Sequence, residues 1–214
     1  MRTIIAGGHG KIALRLERLL GGDATGLVRN PAHVADVEAT GARAVLCDLE
    51  RASVAEIADI LRGADAVVFA AGAGPGSGPA RKDTVDRGAS VLLADAAERA
   101  GVRRFVQISS MGAGRPPEPG GDEAWAAYIT AKTEAEHDLT RRSLDWTILR
   151  PGALTDDPGT GLVLLDLEVP RGRVPRDDVA AVISALLRQR AGLGQVLELV
   201  SGGTPIDEAI IALP

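Results

Sequence analysis

Short apolar runs of strand length alternate with stretches of helical periodicity from Thr3 almost to the end of the chain. Few folds accept that order. A strand, a crossover helix and the next parallel strand form a right-handed unit, and such units in series build a parallel sheet with helices on both faces. Strands are expected at Thr3 to Ala6, Ala24 to Val28, Ala44 to Leu46, Ala66 to Ala71, Arg104 to Ser109, Trp146 to Leu149 and Val196 to Val200. Between them, Lys11 to Leu20 sets Ile12, Leu16, Leu19 and Leu20 at helical spacing, and Ser53 with Glu56 makes a capping box. Thr84 to Ala100 reads as a long helix closed by Gly101, and Asp122 caps a helix running to about Arg142. Gly72 to Pro79 and Arg115 to Gly121 read as loops. The segment from Gly152 to Arg176 reads as irregular, followed by a helix to Arg188 and a short C-terminal helix. The expected fold class is α/β, a doubly wound parallel sheet. Residues 1–214 are expected to form a single domain with a small substrate-side lobe at about 152–176.

Composition narrows the partners. Aromatic residues are only 2% of the chain, so Ala, Val, Ile and Leu must fill the core, which suits strands covered by helices. A net charge of -5, with no basic tract, argues against a nucleic-acid partner. Cys47 is the single cysteine, and His9, His33 and His137 lack metal-ligand spacing, so neither a disulfide nor a metal site is expected. The chain opens on an apolar strand with no charged leader, and its longest apolar runs are short. A cytoplasmic protein without a membrane partner, monomeric or homodimeric, is expected.

The first turn carries the sharpest signal. Gly7-Gly8-His9-Gly10-Lys11-Ile12-Ala13 reads G-x-x-G-x-x-A between a strand and a helix. Small residues there let the backbone turn tightly and let a pyrophosphate approach the N–H groups of the helix start. The second strand then ends in Val28-Arg29-Asn30, where an NAD-binding chain would have a carboxylate for the ribose 2′-hydroxyl. A guanidinium at that place clamps a 2′-phosphate, with His33 one turn later in support, so NADP is the expected cofactor and NAD the second choice. Asp48 is placed to meet the adenine amino group, and Cys47 beside it reads as core.

These stretches, together with Leu27 to Pro31, Cys47 to Leu49, Ala94 to Ser110, Tyr128 to Lys132 and Leu144 to Gly161, make the chain resemble an atypical short-chain dehydrogenase/reductase of the NmrA-like, NAD(P)H-binding kind, a Rossmann-fold family. Ala13 departs from the family's usual glycine. The resemblance covers nearly the whole chain and implies a cofactor site at Gly7, Gly10, Lys11, Ile12, Arg29, Asp48, Leu49, Ala70, Ala71, Gly72, Ser109, Lys132, Pro151 and Leu154, to which the neighbouring His9, Asn30, His33 and Gly152 are added.

Tyr128 and Lys132 stand at i and i+4, hence on one helix face, and resemble the Y-x-x-x-K pair of the active short-chain enzymes. A nearby ammonium favours the phenolate, so the phenol can give its proton to a carbonyl oxygen as hydride arrives. Ser109 or Ser110 would polarise the same carbonyl, and alternation along a strand lets only one of them face the cleft. The expected function is NADP(H)-linked reduction of a small carbonyl, quinone or flavin-type acceptor. Two alternatives use the same cofactor residues: a non-catalytic redox sensor of NmrA type, which would spare Tyr128, and an NAD-dependent epimerase or dehydratase, which Arg29 disfavours. Asp156-Asp157 and Asp177-Asp178 read as turn and helix-cap acids, and Ser77 lacks a nucleophile-elbow setting.

Overall fold

Strand β1 (Thr3–Ala6) is buried along its whole length, with Ile4 facing one apolar layer and Ile5 the other. The same alternation recurs in its neighbours, because a pleated strand between two helical layers must be apolar on both sides. A computed structural model describes residues 1–74, 77–116 and 122–213. Within it α1 (Lys11–Leu20), β2 (Ala24–Val28), α2 (Val34–Glu38), β3 (Arg43–Leu46), α3 (Val54–Leu61) and β4 (Ala66–Phe69) follow β1. Ser53 caps α3 through the expected reciprocal bonds with Glu56.

The next helix starts earlier than its periodicity suggests. It begins as α4 (Pro79–Arg81), passes through a π-helical segment at Lys82–Gly88 and continues as α5 (Ala89–Ala100). Pro79 suits a first helical turn, and the π segment breaks the 3.6 period from which the later start is expected. β5 (Arg104–Ile108), α6 (Glu123–Thr140) and β6 (Asp145–Pro151) follow, with Asp122 accepting the N–H groups of Ala124 and Trp125 as the cap of α6. Pro75, Gly76 and residues 117–121, in the two expected loops, lie outside the described residues.

The stretch expected to be irregular holds three strands: β7 (Ala153–Thr155), β8 (Leu162–Asp166) and β9 (Arg173–Pro175). β7 and β9 are too short to carry a period, and β8 has leucines on its exposed face as well as apolar residues on its buried one, which hides its alternation. α7 (Arg176–Gln189), β10 (Gln195–Ser201), β11 (Thr204–Pro205) and α8 (Ile206–Ile211) complete the chain.

The main sheet runs β11-β8-β10-β6-β5-β4-β1-β2-β3. From β3 to β10 every pairing is parallel, while β8 and β11 are added antiparallel at the far edge. The core of α1, α7 and α8 covers one face, and that of α3, α5 and α6 the other. Strand order reverses beside β1, and ligands of such sheets bind outside the carboxyl ends of the strands at that point.

Candidate functional site

The turn after β1 shows why it must be small. Gly7 has φ +80, and a Cβ there would lie 2.6 Å from the Ala71 backbone. A Cβ on Gly8 would lie 2.8 Å from Gly26. Gly10 is the N-cap of α1 and has no side chain to satisfy the first-turn N–H groups, which carry no acidic neighbour either. Those donors face outward with the positive end of the helix, a cradle fitted to a pyrophosphate. Ala13 is fully buried and accommodates its methyl group in the core beneath the turn.

The other expected cofactor residues fall at the same edge of the sheet. Arg29, Asn30 and His33 follow β2, Asp48 and Leu49 follow β3, and Ala70 to Gly72 follow β4. Side-chain contacts divide them. The His9 and His33 rings stack with centres 3.6 Å apart, and His9 Nε2 lies 2.8 Å from Asp36. Asn30 accepts the Ala32 N–H at 3.0 Å, so its amide caps a local turn. Arg29 donates to Glu50 at 2.8 Å, and the same carboxylate takes Arg81 at 3.2 Å and the Thr84 hydroxyl at 2.9 Å. Partial burial pushes the Glu50 carboxyl up, but these bonds and the charges of Arg81 and Arg29 hold it below the usual carboxylate range. Cys47 is half-buried, and burial together with the Asp48 and Glu56 charges pushes its thiol up, away from the reactive thiolate.

A cleft of about 1420 Å³ opens at the carboxyl ends of β4, β5 and β6. Ile12, Ala70, Ala71, Gly72, Ser109, Ser110, Tyr128, Lys132, Pro151, Gly152 and Leu154 line it. It is larger than the roughly 300–1,000 Å³ of one small-molecule site, which leaves room for the reacting half of a dinucleotide beside a second molecule. Tyr128 and Lys132 share its α6 wall. Lys132 is 4% exposed, donates to the Ile108 carbonyl at 3.1 Å, and lies 3.3 Å from the fully buried Asp86 of the π segment. Asp86 also accepts the Ala73 N–H at 3.2 Å, tying the loop after β4 to the same group. The ammonium groups of Lys82 and Lys132 lie 5.0 and 5.7 Å from the centre of the Tyr128 ring. Among the described residues the Tyr128 hydroxyl has no hydrogen-bond partner.

Both serines line the cleft, contrary to the expected alternation, because β5 ends at Ile108 and neither lies within the strand, but their hydroxyls differ. Ser109 donates to the buried Glu136 at 2.5 Å, and Glu136 is held in turn by the Arg150 guanidinium through both carboxylate oxygens. Ser110 makes only a 3.2 Å bond to the neighbouring Met111 carbonyl. Lys11, in the glycine turn, reaches across to Asp156 at 2.6 Å, where Arg176 also binds at 2.9 Å. Lys11, then Arg176 and Arg15, hold the Asp156 carboxyl below its ordinary range. The expected turn and cap acids Asp177 and Asp178 accept N–H groups of Gly159, Thr160 and Gly161, fixing the turn before β8 onto the start of α7.

Asp86, Glu136 and Glu50 do not emerge from motif reading. A signal for the first two exists. Asp86, Ser90, Leu93 and Ala97 are spaced three and four apart, so the acid lies on the buried stripe of its helix, and Tyr128, Lys132 and Glu136 repeat every four residues along α6. Glu50 lies in an exposed loop and has no comparable signal.

Strand order, glycine turn and cleft together define a Rossmann-type dinucleotide-binding protein. The chain belongs to the NAD(P)H-binding family, whose sequence profile matches residues 7–190. It is similar to YhfK of Bacillus subtilis, called an uncharacterized sugar epimerase, at 36% identity over 98% of this chain and 99% of that one. A Bacillus halodurans structure whose name proposes an NAD-dependent epimerase/dehydratase superposes with a TM-score of 0.90 at 32% identity, covering 99% of each chain. ChuY, an anaerobillin reductase from Escherichia coli O157:H7, gives a TM-score of 0.78 at 25% identity, covering 93% of this chain and 96% of that one.

Proposed function

We propose that this chain is an NADP(H)-dependent oxidoreductase that reduces a small carbonyl-type acceptor. One observation carries the reading: Tyr128 presents to the cleft a phenol with no hydrogen-bond partner among the described residues, one helical turn from a lysine that is buried and ion-paired with Asp86. A tyrosine kept only for packing needs no buried cation beside it. When bound, a reduced nicotinamide supplies hydride to the acceptor carbon. Tyr128 then gives its proton to the carbonyl oxygen, completing reduction to an alcohol, and Lys132 stabilises the phenolate left behind. Ser110 polarises the carbonyl, since the Ser109 hydroxyl is engaged with Glu136. Gly7, Gly10, Lys11 and Ile12 hold the pyrophosphate, and Arg29, with His9 and His33 nearby, receives the 2′-phosphate.

The test combines binding and turnover. NADPH is expected to bind more tightly than NADH, with Arg29→Ala removing most of the difference; equal affinities in the parent protein overturn the NADP assignment. Against a panel of aldehydes, quinones and flavins, Tyr128→Phe is expected to slow carbonyl reduction at least about tenfold while leaving cofactor affinity nearly unchanged. An unaffected rate removes the phenol from the mechanism. The names of YhfK and the Bacillus halodurans protein favour a second reading, an epimerase that regenerates its own cofactor. That reading predicts conversion of a sugar substrate with no net NADPH consumption. The anaerobillin reductase activity in the name of ChuY favours net reduction.

A further inference from the structure

Resting on that reading, we propose that the acceptor carries a carboxylate, which Arg171 and Lys82, lining the cleft, attract. The charges on the cleft wall do not balance. Among the described residues its cations are Lys82, Arg115, Lys132, Arg171 and Arg176, and its carboxylates are Asp86 and Asp122. Three of the cations are matched: Lys132 by Asp86, Arg176 by Asp156 and Arg115 by Glu168 at 2.9 Å. Asp122 is engaged as the cap of α6, where two N–H groups and the helix end neutralise it. Two cations are left. Lys82 touches the Gly74 carbonyl at 3.0 Å and the face of Tyr128, but no carboxylate among the described residues. Arg171, in the turn between β8 and β9, has no partner among the described residues.

A reducing site with only Tyr128 and Lys132 to serve needs neither of these charges, and a neutral acceptor would gain nothing from them. A carboxylate would pair with the Arg171 guanidinium through charge-assisted hydrogen bonds, which are shorter and stronger than neutral ones. Lys82 sits over the same ring that donates the proton, so an anion held there shares the cleft with the reacting centre. Beside these cations the wall is apolar: the Trp125 indole is 53% exposed and tilted against Tyr128, and Leu154 is 37% exposed. A single indole offers a face for one ring. The combination fits a small aromatic or unsaturated carbonyl compound with a carboxylate at the end away from the reacting carbon.

Calorimetric titration of 4-carboxybenzaldehyde and of its methyl ester into the full chain saturated with oxidised NADP tests this without turnover. The acid is expected to bind at least about tenfold more tightly, a difference of about 1.4 kcal/mol. Arg171→Ala and Lys82→Met should each lose much of that preference, and Arg171→Lys should retain part of it. Equal binding of acid and ester, or binding of neither, overturns the proposal. NADPH oxidation with the same two compounds reads the oxidoreductase assignment separately. An acid that binds selectively but is not reduced leaves the anion site standing and removes the reductase. Reduction of both compounds at equal affinity does the reverse.

Discussion

At the scale of single residues, selectivity for the cofactor depends on a competition that Arg29 alone does not reveal. Its guanidinium is half-exposed and already bound to Glu50, which also collects Arg81 and Thr84. A 2′-phosphate arriving at Arg29 meets a carboxylate beside its target. On the proposed NADP reading Glu50 would weaken the preference that Arg29 would create, because like charges repel over the distance at which the guanidinium attracts. Glu50→Gln keeps the hydrogen-bonding shape and removes the charge. The ratio of NADH to NADPH dissociation constants, measured by cofactor fluorescence, is expected to rise by about tenfold in that variant, or about 1.4 kcal/mol. An unchanged ratio places the 2′-phosphate out of reach of Glu50.

At the scale of elements, the site depends on how the π segment is clamped to α6. The segment 82–88 presents Lys82 to Tyr128 on one side and Asp86 to Lys132 on another, while Thr84 and the preceding Arg81 reach back to Glu50. Single π turns inside helices recur at functional sites. Both members of the Asp86–Lys132 pair are out of water, so removing one charge leaves the other uncompensated. Asp86→Asn is expected to destabilise the fold by roughly 3–5 kcal/mol in urea titration. It should also weaken cofactor binding, since Lys132 and the loop at Ala73 lose a common anchor. Loss of less than about 1 kcal/mol, on the scale of an exposed ion pair, would mean the pair contributes little.

For the molecule as a whole, pH dependence centres on Glu17. Its carboxyl is fully buried under the glycine turn, neither oxygen has a hydrogen-bond partner, and it lies so close to Gly26 that no Cβ fits there. Burial pushes its pKa up from 4.5 to about 8. The unfolded chain releases this proton near the ordinary value, while the folded chain keeps it until about pH 8, so the folded state binds more protons in between. The stability associated with this group is present below the unfolded value and is lost as pH rises through the folded one, with a slope of about 1.4 kcal/mol per pH unit inside the window. Glu17→Met fills a similar volume without polar atoms. It is expected to raise Tm and to flatten stability against pH between about 5 and 8 relative to the parent chain. Parallel curves for the two proteins count against the buried acid.

Alternation of strand and helix, the glycine turn and the i, i+4 spacing of Tyr128 and Lys132 are local properties of the chain, and local rules of backbone geometry and side-chain period were enough to read them. They determined the doubly wound sheet, the edge where ligands bind and the cofactor class. Where β7, β8 and β9 lie was not legible, because very short strands and a strand apolar on both faces leave no period to detect. The partners of the charged groups were not legible either. Arg29 stands 21 residues from Glu50, and Ser109 stands 27 from Glu136. Lys11 meets Asp156 across 145 residues. Such pairings are decided by which strand ends and helix faces the sheet brings together, since a charge acts through space on whatever packs beside it. The sequence by itself determined the fold and the class of cofactor; the tertiary structure decided which charges meet, because pairing depends on what the folded sheet brings side by side.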